Sequence, residues 1–536
     1  MENKKYEFWT DKIAREIIER KKFHFTDNPI LKFNSYVVKT SASLSGVLHI
    51  GRLSDTIRSE AVHRSLKDMG VRTQLIWVAE DMDPLRRIPE GVSKNYVDYI
   101  GMPVTDIPDP NGCHKSYAEH HASEYFKVLD EFVLSKMKKF SMREEYKKGN
   151  FKKYIKILLK NVDEIIKIQN EYRETKLPKN WSPWKPICEN CGKIITSRVT
   201  KFENGKVFYK CEDYSFEKNV AKGCGYEGEN NPLKGNGKLM WKSEWAAQWA
   251  RWKVCSEGAG KEYQVPGSAF WVNGEILERI LNFPMPVPIF YEHLTINGKK
   301  MSASLGNVVY PYEWFEVATP ELLRLLFLKD PMRERNFRWT DISNLMDEYD
   351  ELEKIYYGVK KVESERDLIN SKRLFESIQI KPLPKKYEHI APFSVFVEIA
   401  KILPEEKQMN FAIDKLREFG HLKIVNSELE KKIKDRLELA KKWYEKFGKP
   451  MIVEFKVSDV EKKAITELIE MINKEDDGEK LQYGIFEIAK KGGIKPVKFF
   501  QLIYKIILNQ DKGPRLGPYI IERGKEEIIE KLEKNI

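Results

Sequence analysis

Residues 36–81 read YVVKTSASLSGVLHIGRLSDTIRSEAVHRSLKDMGVRTQLIWVAED, and this stretch decides the fold. Tyr36-Val37-Val38 is an apolar run, Ser45-Gly46 breaks it, and Leu53, Ile57, Ala61 and Val62 then recur at the spacing of one helix face. After Gly70 a second apolar run, Val71 to Val78, leads into acids. Strand, helix and strand in this order make a parallel βαβ unit, and open sheets built from such units bind ligands at the carboxyl ends of their strands. Glu80, Asp81 and Asp83 therefore fall where a substrate binds, and His49 falls at a helix start. The unpaired N–H groups and positive dipole end of that helix suit a phosphate. Gly51 lets a nucleotide approach the chain, and an imidazole can donate to a phosphate oxygen.

A second candidate phosphate element comes much later. Lys299-Lys300-Met301-Ser302-Ala303-Ser304 follows the strand-like Pro288-Ile289-Phe290-Tyr291 and the turn Asn297-Gly298, which makes it a loop at a strand end. Lys299 and Lys300 can neutralise phosphate there, and Ser302 and Ser304 offer hydroxyl donors.

The chain of 536 residues exceeds one core and has room for roughly three to four domains. Hydrophobic residues at 41% and aromatics at 12% exclude a disordered polymer. Lys plus Arg total 93 against 81 Asp plus Glu, and the net charge of +12 favours a polyanionic partner. No apolar stretch approaches the roughly 20 residues that span a bilayer, and no signal-type core follows Met1-Glu2-Asn3-Lys4-Lys5, so a soluble cytoplasmic protein is expected.

The six cysteines are too few for a disulfide scaffold. Cys188-Glu189-Asn190-Cys191 is a CxxC knuckle which, with Cys211 and Cys224, supplies four soft ligands suited to tetrahedral zinc. Asp109, Cys113, His114 and His120 are a mixed donor set; the residues alone leave it between a metal site and a polar turn with solvated histidines. Cys255 is expected in the core. The stretch Tyr117 to Glu174 reads as long, charged helix, and from about 345 onward amphipathic helices dominate, with Leu429, Ile433 and Leu437 marking one apolar stripe.

His49-Ile50-Gly51 and the Lys300 loop, in this order and context, resemble the two signature sequences of class I aminoacyl-tRNA synthetases. Val38 to Arg52, Glu80 to Pro89, Gly101 to Pro103, Asp109 to His120, Trp241 to Trp249, Glu257 to Lys261 and Gly513 to Pro518 resemble the lysyl branch of that class. The resemblance implies a Rossmann-like α/β nucleotide-binding catalytic domain with a zinc-bearing insertion, followed by an all-α anticodon-binding domain. Its boundaries would be 1–108 and 241–344 for the two halves of the catalytic fold, 109–240 for the insertion and 345–536 for the helical domain. It implies lysyl-adenylate formation from lysine and ATP, dependent on bound tRNA, and then transfer to tRNA(Lys). Magnesium would accompany ATP. Two zinc ions would sit on Asp109, Cys113, His114 and His120, and on Cys188, Cys191, Cys211 and Cys224. A monomer is expected.

On this resemblance His49 and Lys300 are the catalytic pair. Ser45, Gly46, His49, Gly51, Arg52, Gly260, Glu262, Lys300, Met301, Ser302 and Ser304 would hold ATP. Ser43, Asp55, Asp81, Asp83 and Phe270 would hold lysine, with Glu80 and Trp271 as further candidates. The basic helices near Lys431 to Lys449 and Lys490 to Lys498, with Phe499, Phe500 and Tyr504, offer phosphate contacts and stacking surfaces. The chain departs from the family at Leu44, Arg52, Tyr263, Phe270, Ala303 and Leu305. Two other readings compete: a small-molecule adenylyltransferase on the same nucleotide fold, and a non-catalytic tRNA-binding paralogue.

Overall fold

Both faces of a parallel sheet are covered by helices, so its strands are near-continuous apolar runs. That is how the first strand, β1 (Tyr36–Ser43), is buried along its length. The structure is a computed structural model that describes residues 7–44, 49–88, 92–301, 308–404, 406–448, 457–508 and 515–535. After β1 come α1 (Ile50–Asp68), β2 (Thr73–Glu80), β3 (Met137–Ser141), α2 (Trp241–Trp252), β4 (Val254–Gly260), α3 (Ala269–Ile280), β5 (Val287–Tyr291) and α4 (Pro320–Leu328). The five strands form one parallel sheet in the order β5-β4-β1-β2-β3. The chain moves outward from β1 through β2 to β3, then returns to the other side for β4 and β5. The switch point lies between β1 and β4, where doubly wound sheets open a ligand crevice.

The residues 109–240 contribute one strand to this sheet. Met137–Ser141 lies inside the stretch read as helix from Tyr117 to Glu174, pairing Leu75 with Met137 through Ala79 with Ser141. Its sequence, Met137-Lys138-Lys139-Phe140-Ser141, has no β-branched residue and two exposed lysines, which suits a strand at a sheet edge. Helices Tyr117–Phe132, Lys152–Lys160 and Val162–Glu171 flank it. A separate antiparallel sheet of Ser197–Glu203, Lys206–Cys211 and Glu227–Asn230 carries part of the cysteine set.

The helix Glu365–Ile378 is tied to α1 and α4 through its own end. Arg64 donates to the carbonyls of Glu376, Ser377 and Gln379, and Arg324 donates to that of Ser377, satisfying groups that a helix terminus leaves unpaired. Arg324 is fully buried and pairs with Glu60 at 2.7 Å. Leu429, Ile433 and Leu437 are buried as their stripe requires.

The chain divides into two compact units, Met1–Ala440 and Lys441–Ile536. In the second, five helices (Asp459–Lys474, Gly478–Lys491, Pro496–Leu508, Leu516–Arg523 and Lys525–Glu533) enclose Ile465, Leu468, Leu481, Ile485, Ile503 and Ile520. Phe499 belongs to this core, fully buried, and offers no stacking surface. Gly517 lets two of these helices touch: a Cβ there would lie 2.0 Å from the carbonyl oxygen of Gly478.

Candidate active site

A cavity of about 650 Å³ opens where β1, β2 and β4 end. Ser43, His49, Gly51, Arg52, Asp55, Glu80, Asp83, Gly260, Glu262, Lys300 and Met301 line it, so residues far apart in sequence converge. Four expected residues do not: the Trp271 indole donates to the Gln264 carbonyl at 3.1 Å, Lys299 is exposed on a short strand, and Asp81 and Phe270 are turned inward. Asp81 is buried and accepts the Arg143 N–H at 2.9 Å, and Phe270 is wholly enclosed by Trp245, Trp249 and Phe290. Ser45, Gly46, Ser302 and Ser304 lie outside the described residues.

One side of the cavity gathers hydrogen-bond donors and a lysine. His49 caps α1, and its Nδ1 accepts the Gly51 N–H at 3.2 Å. Burial, with Arg52 beside it, pulls this imidazole down to about 4, so it is neutral at pH 7. With Nδ1 accepting, the proton sits on Nε2, leaving one donor for an oxyanion. Across the cavity the Lys300 ammonium lies 3.2 Å from His293 Nε2, and His293 lies 3.1 Å from Glu262. The bond from His293 holds the Glu262 carboxyl down to about 2. Lys261 pairs with Glu292 at 2.8 Å.

The other side is acidic. Lys39 is fully buried at 2.5 Å from Glu257 and 4.0 Å from Glu80. The indoles of Trp245 and Trp249 donate to the second Glu257 oxygen at 2.9 and 2.5 Å, and Gln248 donates to both oxygens of Glu80 at 3.1 Å. Lys238 reaches Asp83 at 3.3 Å and Glu244 at 3.0 Å. Four carboxyl groups thus meet two ammonium groups, leaving the floor able to accept further positive charge. Burial pushes Glu80 up to about 8 against the pull of Lys39. Beside this floor Asp55 accepts the Thr40 hydroxyl at 2.5 Å and the Tyr291 hydroxyl at 3.4 Å, and burial pushes it up to about 6. Gly258 makes room for it, since a Cβ at 258 would sit 1.9 Å from Asp55 Oδ1.

Two donor sets stand apart from the cavity. The ligand atoms of Cys188, Cys191, Cys211 and Cys224 lie within 4.8 Å of one another, with Sγ separations of 3.7 Å (Cys188 to Cys224) and 3.6 Å (Cys191 to Cys211). A tetrahedron with metal–sulfur bonds of about 2.3 Å has edges of roughly 3.8 Å, so the thiols are spaced as zinc requires. In the second set Cys113 Sγ lies 3.1 Å from His114 Nδ1, 3.2 Å from His120 Nδ1 and 3.2 Å from Asp109 Oδ2. The backbone N–H groups of Cys113 and His114 donate to the same Asp109 oxygen at 2.9 Å and orient it.

A parallel sheet with a helix-capping histidine and a late lysine loop meeting at its switch point is matched by one family description, tRNA synthetases class I (K), over residues 7–381. The chain belongs to the class I tRNA synthetases. Similar proteins include lysine–tRNA ligases of Methanocaldococcus jannaschii, 32% identical over 97% of this chain and 98% of that one, and of Methanosphaera stadtmanae, 30% identical over 98% of each. That of Archaeoglobus fulgidus is 29% identical over 98% of this chain and 99% of its own. Among solved structures, a glutamate tRNA ligase from Elizabethkingia meningosepticum is 13% identical, covering 93% of this chain and 99% of that one, with a TM-score of 0.32.

In this class I synthetase the cavity includes residues that sequence reasoning passed over: Lys238, Trp245, Glu257, Tyr291 and His293. Lys39 and Glu257 carried a usable signal, because a charge inside a strand of a sheet covered on both faces must find a partner. His293 carried none, since its role depends on how Glu262 and Lys300 approach each other in space.

Proposed function

We propose that this chain is a lysine–tRNA ligase: the lysine carboxylate attacks the α-phosphorus of ATP, pyrophosphate leaves, and the lysyl group passes from the adenylate to tRNA(Lys). The observation that carries the choice of amino acid is the cavity floor, where Glu80, Asp83, Glu244 and Glu257 outnumber Lys39 and Lys238. Glu80 holds its proton below about 8, so Asp83, Glu244 and Glu257 still exceed Lys39 and Lys238, and a cationic substrate offsets that surplus; the activity named for the archaeal relatives agrees with it.

The attacking carboxylate is already ionised at neutral pH, so the reaction needs no strong base. What the chain supplies is position and charge. His49 Nε2 and the start of α1 meet phosphate oxygens from one side, and Lys300 meets them from the other as negative charge builds on the phosphoryl group. Gly260 and Glu262 border the nucleotide, and Ser43, Asp55 and Asp83 border the amino acid. Magnesium bound with ATP would supply further positive charge against the phosphates, opposite His49 and Lys300.

Zinc fits both donor sets, and its role there is to hold the insertion in shape. The two halves of the catalytic fold span 1–108 and 241–344 and take in the strand Met137–Ser141, the rest of 109–240 forms the insertion, and the helices of 345–536 serve anticodon recognition. The protein works in the cytoplasm as a monomer. Exchange of pyrophosphate into ATP, measured with and without tRNA(Lys), tests the reading. It predicts exchange with lysine and none with arginine or glutamate. RNA binding without exchange under either condition points to a non-catalytic paralogue and sinks it.

A further inference from the structure

The far end of the sheet carries a second cavity that the reaction does not use. It is a groove of about 910 Å³ where β2 and β3 begin, walled by the end of α1, the turn at Val71-Arg72 and the segment Leu134 to Lys138. His63 Nδ1 and the Thr73 hydroxyl, 3.1 Å apart, form part of its wall. Lys67, Arg72, Lys136 and Lys138 all line it and are all exposed. Among the described residues none of the four forms an ion pair. The one acid in the lining, Asp68, is already bound to Arg373 at 2.6 Å, and Arg64 is committed to the carbonyls at the end of Glu365–Ile378.

Elsewhere many lysines sit beside acids, as Lys201 does with Glu203, Lys210 with Glu227 and Lys491 with Glu467, whereas here four cations share one groove whose single acid is taken. Unpaired like charges crowded into one groove repel each other, and that repulsion is relieved by a polyanion whose counterions are released on binding. The eight residues of β2 separate the groove from the ATP-side cavity by roughly 26 Å at about 3.3 Å per residue. A single nucleotide cannot bridge that distance, whereas a folded RNA can.

We propose that the groove formed by Lys67, Arg72, Lys136 and Lys138 seats the phosphodiester backbone of an RNA, remote from the reacting end. The inference rests on the reading of the chain as a tRNA ligase. It assigns that partner a sequence-independent contact at the amino end of the sheet. The backbone is recognised by charge and spacing alone, so the contact adds affinity without identity.

The test replaces all four residues together, Lys67→Gln, Arg72→Gln, Lys136→Gln and Lys138→Gln, in the full chain, and follows binding of a tRNA(Lys) transcript across a salt series. Losing four phosphate contacts lowers the slope of log affinity against log salt by roughly 3 to 4 and weakens binding at least roughly tenfold at about 0.1 M salt. Lysylation at saturating tRNA keeps its kcat while the KM for tRNA rises. A companion variant with arginine in place of the three lysines retains the wild-type slope, which separates charge from damage to the fold. An unchanged slope in the glutamine variant overturns the inference. So does displacement of the transcript from the wild-type groove by tripolyphosphate at equal phosphate concentration, which would assign the groove to a small anion. Failure of the wild-type chain to bind the transcript at all overturns the groove assignment together with the ligase reading. Tight binding and lysylation that are indifferent to the four residues overturn the groove alone.

Discussion

Replacing Glu257 by glutamine probes the cavity floor at its most enclosed point. The carboxylate is buried, lies 2.5 Å from the Lys39 ammonium, and accepts the Trp245 and Trp249 indoles on its other oxygen. The substitution leaves Lys39 with Glu80 at 4.0 Å as its remaining acid and turns an amide N–H₂ toward a donor. Removing one partner of a buried ion pair costs about 3–5 kcal/mol. Replacing Lys39 by methionine in the same chain removes the orphaned charge, and the remaining loss, imperfect bonding of two indoles, is about 1–2 kcal/mol. The pair should therefore couple by about 2 kcal/mol or more. Tryptophan fluorescence during urea unfolding reads this out, because of the 12 tryptophans only Trp443 lies beyond the first unit. A Glu257→Gln midpoint corresponding to a loss of under about 1 kcal/mol, or a double variant no more stable than the single one, refutes the account of the floor.

His49→Ala removes one preorganised donor to phosphate and should lower kcat for pyrophosphate exchange by roughly 10²–10³, with the lysine KM nearly unchanged; a loss confined to KM contradicts the assignment. Glu80 keeps its proton up to about 8 in the folded protein but loses it near 4.5 when unfolded. Its contribution to stability is therefore greatest below about 4.5 and declines as pH rises through 8, and Glu80→Gln should flatten that part of the stability profile. If a substrate ammonium settles by Glu80, lysine binding at pH 7 releases protons, visible as a buffer-dependent heat in calorimetry and absent in the glutamine variant. Metal analysis of the purified chain should find about two zinc ions, with Cys211→Ser and Cys113→Ser each removing one. Two ions retained in either variant shows that the cysteine is not a ligand.

The central fold was legible because parallel strands announce themselves as apolar runs. Residues 36–81 alone specify β1, α1 and β2, and Glu80 and Asp83 fall at the cavity as strand-end geometry requires. β3 was hidden because an edge strand needs only one well-packed side, and two of its five residues are lysines. The arrival of His49 and Lys300 at the cavity was legible because helix starts and lysine loops have local signals. The acidic side was less so. Asp55 and Asp83 reach the cavity, but Asp81, in the turn that follows β2, is turned away to the Arg143 amide, and the course of a turn has no period to read in the sequence. Phe270 became core because α3 packs it against three aromatic rings. The pairing of Lys39 with Glu257 depends on β1 meeting β4, a register that only the folded sheet sets.

The measurement closest to the central claim is charging of a tRNA(Lys) transcript by the purified chain with each of lysine, arginine and glutamate in turn. The acidic floor and the His49–Lys300 phosphate site predict ATP-dependent esterification with lysine alone, lost on His49→Ala. Charging with glutamate or arginine at a comparable rate, or no charging with lysine while the transcript remains bound, contradicts it.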